Sequence, residues 1–253
     1  GTVTGENNVA MGYAALNAAC ASDNVAVGRS ALQVFTGGSA VAIGKGAADA
    51  AGSQTNLTAV GHNALGVATS GNSNTAVGTS SLQTVDGTQN TAVGANALNA
   101  DCVSNNTAVG REALYAFTGS DATAVGSGAA DSSVSDLGLT AVGRLALGAC
   151  NGGDYNTAVG NNALGACTVG NRNTAVGGDS LNATDDGHYN TALGFNTLQA
   201  NCADNNTGLG YNALNAFAGS NATAVGSGAA DAAGGNANIT AIGYNALGSA
   251  TSG

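Results

Sequence analysis

The chain contains no proline, no tryptophan and only one methionine, and it carries few charged residues. Charged side chains make up 8% of its 253 residues, whereas about a quarter is usual for a soluble domain. Five Lys and Arg against fifteen Asp and Glu give a formal net charge of -10. Because nucleic-acid binding needs a basic face, we expect no nucleic-acid partner. No apolar run reaches the length of about 18 residues that a transmembrane helix needs, so we expect no membrane insertion of this segment.

Glycine, in contrast, is abundant and periodic, with 41 residues. The string TAVG or a close variant occurs fifteen times at spacings of 16 or 17 residues. We call its glycine the anchor glycine, and one repeat a rung. The anchors are Gly12, Gly28, Gly44, Gly61, Gly78, Gly94, Gly110, Gly126, Gly143, Gly160, Gly177, Gly194, Gly210, Gly226 and Gly243. So regular a period is typical of a solenoid.

The columns around the anchor predict the shape of one rung. Thr or Val, then Ala, then an aliphatic residue precede the anchor and favour a short strand, and the glycine suits a corner. The x-Ala-Leu sequence that follows predicts a second short strand before a polar turn. We therefore predict an all-β repetitive β-solenoid of 15 rungs, forming one continuous array over residues 1–253 without separate domains. The array starts and stops inside the repeat, so we expect a segment of a longer fibre or end-to-end stacking.

Two uniform faces of the strand suggest association. Alternate strand residues point to opposite sides, so Thr and Val share one face while Asn and Ala share the other. The Val column fits a coil interior, and the Ala and Asn columns fit a surface packed against another chain. A homo-oligomer explains both. The alternative is a single coil whose Asn and Ala columns face water.

The NTAVGxxAL repeat, which runs from Asn8 to Leu247, resembles the head repeats of trimeric autotransporter adhesins of the YadA-like type. It also resembles the similar repeats of bacteriophage tail fibres. This resemblance implies a left-handed parallel β-roll in which three chains associate into a rigid head or shaft. The adhesin rung is slightly shorter, with a SVAIG core, whereas Thr replaces Ser in most rungs here.

A longer repeat lies above the rungs. Phe35, Phe117 and Phe217 occupy equivalent places in three similar segments that are five and six rungs apart. Duplication of a five-rung block explains this spacing. The alternative is a regularly spaced surface feature, such as a receptor or glycan site.

Motifs for catalysis, cofactors and metals are missing from the sequence. Its many glycines belong to the rung period, no paired carboxylates at catalytic spacing occur, and His62 and His188 lie more than seven rungs apart. We therefore predict neither an enzyme nor a bound cofactor or metal. Cys150 and Cys167 share a column in adjacent rungs, at a separation that allows a disulfide. The alternative is a pair of buried thiols.

The position just after the anchor varies freely and collects aromatic and cationic side chains, which suit carbohydrate or protein recognition. We call this set the outer column; the alternative is a corner that tolerates any residue. Its members are Tyr13, Arg29, Lys45, His62, Arg111, Arg144, Phe195, Tyr211 and Tyr244.

The solenoid pattern together with this resemblance implies a structural and adhesive fibre segment, extracellular or on a virion. We expect it to bind itself as a homotrimer and to attach to a cell-surface glycan or protein receptor. Two alternatives are an ice-binding solenoid that uses its Thr ladder and a self-assembling matrix filament. For ice binding, one Thr per rung on the same face as Val fits a core better than an exposed surface.

Overall fold

A computed structural model describes residues 5–235 and 237–248 of the chain. The fold comprises two compact units, Gly1–Ala122 and Thr123–Gly253. The first unit contains strands β1 (Val9–Met11), β2 (Val25–Val27), β3 (Val41–Ile43), β4 (Thr58–Val60), β5 (Thr75–Val77), β6 (Thr91–Val93) and β7 (Thr107–Val109). The second contains β8 (Thr123–Val125), β9 (Thr140–Val142), β10 (Thr157–Val159), β11 (Thr174–Val176), β12 (Thr191–Leu193), β13 (Thr207–Leu209), β14 (Thr223–Val225) and β15 (Thr240–Ile242).

Within each unit, every strand pairs in parallel with the next strand along the chain. The register aligns equivalent repeat positions, so that Ala59 pairs with Ala76 and Val60 with Val77. One strand per rung and one rung per turn make each unit a parallel β-solenoid. The predicted all-β solenoid with rungs of 16 or 17 residues is therefore confirmed.

The predicted orientation of the strands is wrong. Ala, at the centre of each three-residue strand, points into the coil and is fully buried from β2 to β14 where it is present, whereas Thr and Val point outward. For example, Ala92 is 0% exposed and Val93 is 37% exposed. The Ala and Asn columns therefore do not form a second surface; they line the interior.

The interior is too narrow for a larger side chain at the strand centre. Gly208 replaces Ala in β13, and a Cβ there would lie 2.6 Å from Cγ2 of Thr197 and 3.5 Å from Cδ1 of Leu198. Thr197 itself stands where most rungs have Ala three residues after the anchor. A larger residue on one side of the coil is thus matched by a smaller residue on the other. Close packing of this kind explains why the column holds only Ala or Gly.

The second predicted strand, x-Ala-Leu, is also wrong. These residues form turns in which the residue two after the anchor and the Leu column adopt left-handed backbone conformations, as in Asn162 (φ 58°) and Leu164 (φ 50°). Hydrogen bonds between rungs continue through these turns. The N–H of Asn162 donates to the carbonyl of Arg144 at 2.9 Å, and the N–H of Leu164 donates to that of Ser180 at 2.9 Å.

A ladder of asparagine side chains holds consecutive rungs together inside the coil. The N–H of Asn106 donates to Oδ1 of Asn90, and the N–H of Asn90 donates to Oδ1 of Asn74, each at 2.9 Å. Nδ2 of Asn90 donates to the carbonyl of Val103 at 2.8 Å. The Asn column therefore lies in the interior and forms a ladder there, whereas the sequence pattern had placed it at an interface between chains. It satisfies polar groups that would otherwise be buried without partners.

The three repeated phenylalanines also belong to the core. Phe35, Phe117 and Phe217 are each 0% exposed. A surface recognition role for these residues is therefore wrong, and their recurrence at equivalent buried places fits the block-duplication interpretation. The Leu column is also buried in most rungs.

Candidate functional site

The anchor glycine determines how the outer column is presented. The anchors have φ values between 122° and 141°, a region that only glycine adopts readily. Their backbones also stack closely, because a Cβ on Gly28 would lie 2.5 Å from the carbonyl oxygen of Gly44. The chain turns sharply at this corner, and the side chain that follows points to solvent.

All nine residues of the outer column are exposed. In the first unit, Tyr13, Arg29, Lys45 and His62 occupy four successive rungs. Each of their carbonyls accepts the same bond from the residue two after the next anchor, at 2.8 to 3.0 Å. The main-chain bonding is therefore the same whether the side chain is tyrosine, arginine, lysine or histidine.

In the second unit, two aromatic residues of the outer column come together. The rings of Phe195 and Tyr211 stack with centroids 6.1 Å apart and an angle of 9° between their planes. Gly178, one rung earlier, leaves room for this pair, since a Cβ there would lie 3.2 Å from Cδ2 of Phe195. The result is an exposed aromatic platform of the kind that binds sugars or apolar side chains.

The other members of the outer column are arranged differently. Arg111 forms an ion pair with Glu112, the next residue in the chain. Arg144 and Tyr244 are exposed in other rungs of the second unit. In each unit the outer column therefore consists of separate contact points, and the Phe195–Tyr211 pair is its one stacked element among the described residues.

Beside the outer column, each unit has an outward face formed by the side chains of its strands. We call it the strand face; in each unit it consists of the first and third residue of every strand. No charged residue occurs in any of these strands. Aliphatic side chains such as Val109 (36% exposed) and Leu193 (47% exposed) leave apolar area in contact with solvent.

Sequence reasoning missed a second cluster, which lies five residues before the anchor. Most rungs have Asn, Asp, Ser or Gln at this position, but three successive rungs have Tyr155, Arg172 and Tyr189. The guanidinium carbon of Arg172 lies 5.6 Å from the ring centroid of Tyr155 and 5.7 Å from that of Tyr189. Three large side chains in consecutive rungs of an otherwise small, polar column were the signal available in the sequence.

The two cysteines of the candidate disulfide lie side by side in the interior. The Sγ atoms of Cys150 and Cys167 are 3.9 Å apart, and both residues are 0% exposed. Hydrogen bonding to Cys167, together with burial and the nearby Asp136, raises the pKa of the Cys150 thiol. A disulfide bond needs about 2.05 Å between sulfurs, so the two sulfurs are adjacent but not bonded to each other in this structure.

Comparison with protein-family models, with curated proteins and with solved structures gave no match. Among the described residues, no group of three or more His, Cys, Asp or Glu side chains could hold a metal ion. In the same part of the chain, no helix is long and apolar enough to cross a membrane. The candidate functional features of the described residues are therefore the exposed surfaces given above.

Proposed function

We propose that this chain is a segment of a structural and adhesive fibre that associates into a homotrimer and attaches to a cell-surface receptor. The observation that carries the proposal is the strand face. Parallel sheets in proteins are almost always covered on both faces, yet here the coil interior covers one face and solvent meets the other.

The chemistry of the strand face favours copies of the same chain as its cover. The face is made of Thr and small aliphatic side chains, without the charges that would oppose self-association. Identical columns repeat at the rung spacing of about 4.8 Å, so parallel copies can align rung by rung. The number three comes from the resemblance to trimeric adhesin heads and tail fibres, as does the extracellular or virion location. Placing Thr and Val at the interface replaces the Ala and Asn columns that the sequence had suggested.

Light scattering after size exclusion tests the assembly. A molar mass of three times the 23.8 kDa chain supports the trimer. We expect the double variant Val93→Asp with Val159→Asp, which adds one charge to the strand face of each unit, to give monomers with an unchanged circular dichroism spectrum. The matched control adds the same charges two residues later, as Ala95→Asp with Asn161→Asp, and should stay trimeric. A monomeric wild-type protein would overturn the trimer.

Attachment is assigned to the outer column. Three chains would each present the column, so that weak contacts combine by multivalency. We expect the variant Phe195→Ala with Tyr211→Ala to bind receptor-bearing cells less well than wild type. Tyr115→Ala removes an exposed aromatic residue outside the column and serves as the control. Equal loss in both variants would argue against a role for the column.

Ice binding is a second candidate, because the Thr column lies on the outside of the strands. Thr and Val side chains repeat there at regular spacing on one face, which removes the argument that the Thr column belongs to the core. This function requires the strand face to remain exposed, so it applies to a monomeric protein. Thermal hysteresis that is lost on Thr157→Tyr would support it, and a trimer without hysteresis would exclude it.

A further inference from the structure

Tyr155, Arg172 and Tyr189 form one stack on the outside of the second unit. Arg172 lies between the two rings, and its Nη1 donates to the hydroxyl of Tyr189 at 3.2 Å. Both tyrosines are about half exposed. We call these three residues the Tyr–Arg–Tyr stack. Contacts of this kind between guanidinium groups and ring faces hold the cation in a fixed orientation.

The backbone under the stack is held by a second ladder, formed by the residues that directly precede it. The N–H of Asp154 donates to Oδ1 of Asn171 at 2.7 Å, and the N–H of Asn171 donates to Nδ1 of His188 at 3.0 Å. The N–H of His188 in turn donates to Oδ1 of Asp204 at 2.8 Å. Each rung is thereby fixed to the next one immediately before a stack residue, so the stack rests on a rigid base.

A glycine provides space at one end of the stack. Gly138 occupies the same column one rung before Tyr155, and a Cβ there would lie 2.9 Å from Cδ1 of that ring. The ring of Tyr155 therefore lies directly over the glycine, with Arg172 on its other face. Both faces of the Tyr155 ring are thereby occupied, so its edge and the edge of the guanidinium group are the parts open to solvent.

The charge of Arg172 is available to a ligand. Within residues 5–235 and 237–248, the ion pair found joins Arg111 and Glu112, and Arg172 has no carboxylate partner. The side chains of Asp154 and Asp204 accept main-chain N–H groups. Arg172 is thus an exposed cation that forms no ion pair with a described carboxylate, in a chain of net charge -10.

We propose that the Tyr–Arg–Tyr stack binds a saccharide that carries one carboxylate group. The free edge of a guanidinium group matches a carboxylate through two parallel hydrogen bonds. Tyrosines one rung away on either side, at about 4.8 Å, bring hydroxyl groups within reach of neighbouring sugar hydroxyls. The negative net charge disfavours polyanions such as nucleic acids, because a single cation cannot offset their long-range repulsion.

This inference adds to the proposed attachment a second contact site, outside the outer column and with its own ligand class, and in that sense rests on the proposed function. Saturation-transfer difference NMR on the intact chain tests it with sialyllactose and lactose as probes. We expect signal from sialyllactose and none from lactose. Arg172→Ala should weaken binding about tenfold, as loss of a charged hydrogen bond predicts.

Further variants separate the stack from simple charge attraction. Arg172→Lys keeps the charge but loses the planar fork, and Gly138→Ala displaces the ring of Tyr155, so both should weaken binding. Gln89→Ala changes an exposed residue of the same column in the first unit and should bind as wild type does. Normal binding by Arg172→Lys would overturn the proposal.

Two competition experiments distinguish saccharide binding from binding of any small anion. Inorganic phosphate and acetate at the same concentration should compete poorly, and full competition by either would reduce the site to an anion site and overturn the saccharide assignment. Equal signal from lactose would also overturn it. Light scattering on the same samples keeps the two proposals apart, because a trimer without sialyllactose binding refutes only the stack, and a binding monomer refutes only the assembly.

Discussion

Replacing Asn90 by alanine tests whether the asparagine ladder lies inside the coil. The side chain of Asn90 is 0% exposed and makes two bonds to the main chain. Its Oδ1 accepts the N–H of Asn106 at 2.9 Å, and its Nδ2 donates to the carbonyl of Val103 at 2.8 Å. Its own N–H keeps its bond to Asn74 in the variant, since the main chain is unchanged.

The expected loss follows from what becomes of the two partners. The bond to the N–H of Asn106 is buried, so this donor is left without a partner at a cost of about 1–3 kcal/mol. The bond to Val103 is partly exposed, and water can replace it, so its loss costs about 1 kcal/mol. Together, Asn90→Ala should destabilise its region by about 2–4 kcal/mol, which corresponds to a ~30-fold to ~800-fold change in an opening equilibrium.

Hydrogen exchange is the suitable assay, because long repeat arrays depart from two-state unfolding. We expect protection to fall at the amide of Asn106 and in the rungs around it, while the molar mass stays unchanged. Gln89→Ala is the matched control. Gln89 precedes Asn90 in the chain, its side chain is exposed, and its left-handed backbone conformation should be kept when alanine replaces it. Unchanged protection in Asn90→Ala combined with a lower molar mass would place the asparagines at an interface and refute the reasoning.

Three further predictions concern the core. Ala158→Val should destabilise the coil by about 1–3 kcal/mol through overpacking. Val159→Ala should leave the circular dichroism spectrum of the chain intact. Equal thermal unfolding of both variants would contradict the inward placement of alanine. Burial raises the pKa of the Cys102 thiol from 9.0 to about 12. As the pH rises, the unfolded chain therefore loses this proton before the folded chain does. The free energy of unfolding should fall between about pH 9 and pH 12, by up to about 1.4 kcal/mol per pH unit from this thiol. Urea titrations over this range should show a shallower decline in Cys102→Ala, and identical slopes would argue against this assignment. Oxidised glutathione present during refolding should link Cys150 to Cys167 and stabilise the chain by about 3 kcal/mol; an intact mass that shows no loss of two hydrogens would refute this.

The period of the array and the position of its strands could be predicted from sequence because the anchor glycines mark every rung. The direction of the strand side chains could not, because both alternating faces are uniform and the more hydrophobic one was assigned to the interior. Column size was the better signal. The position two before the anchor never exceeds Ala in size, as close packing demands, whereas the position one before it accepts Val, Ile, Leu and Met. The larger Thr197 and the smaller Gly208, each of which stands where most rungs have Ala, also indicate that this column faces the interior.

The candidate sites were predictable to different degrees. The exposure of the outer column follows from the corner at the anchor glycine, so its residues could be named in advance. The Tyr–Arg–Tyr stack depends on contacts between rungs, and its three residues lie 17 positions apart in the sequence. The left-handed Leu column could not be anticipated, because leucine rarely adopts this conformation and does so here where hydrogen bonds between rungs hold the turn.

Beside the outer column, the main-chain hydrogen bonds are the same in every rung compared. The residues that determine binding at this column are therefore not the residues that determine the fold. The carbonyls of Tyr13, Arg29, Lys45 and His62 all accept the same bond from the following rung. A change of side chain at these positions therefore alters the surface without altering a bond that builds the coil. Natural selection, or a protein engineer, can substitute single residues of the outer column, which lie about 4.8 Å apart from one rung to the next. Each unit is in this respect a scaffold with regularly spaced positions at which one binding side chain can replace another without change to the coil.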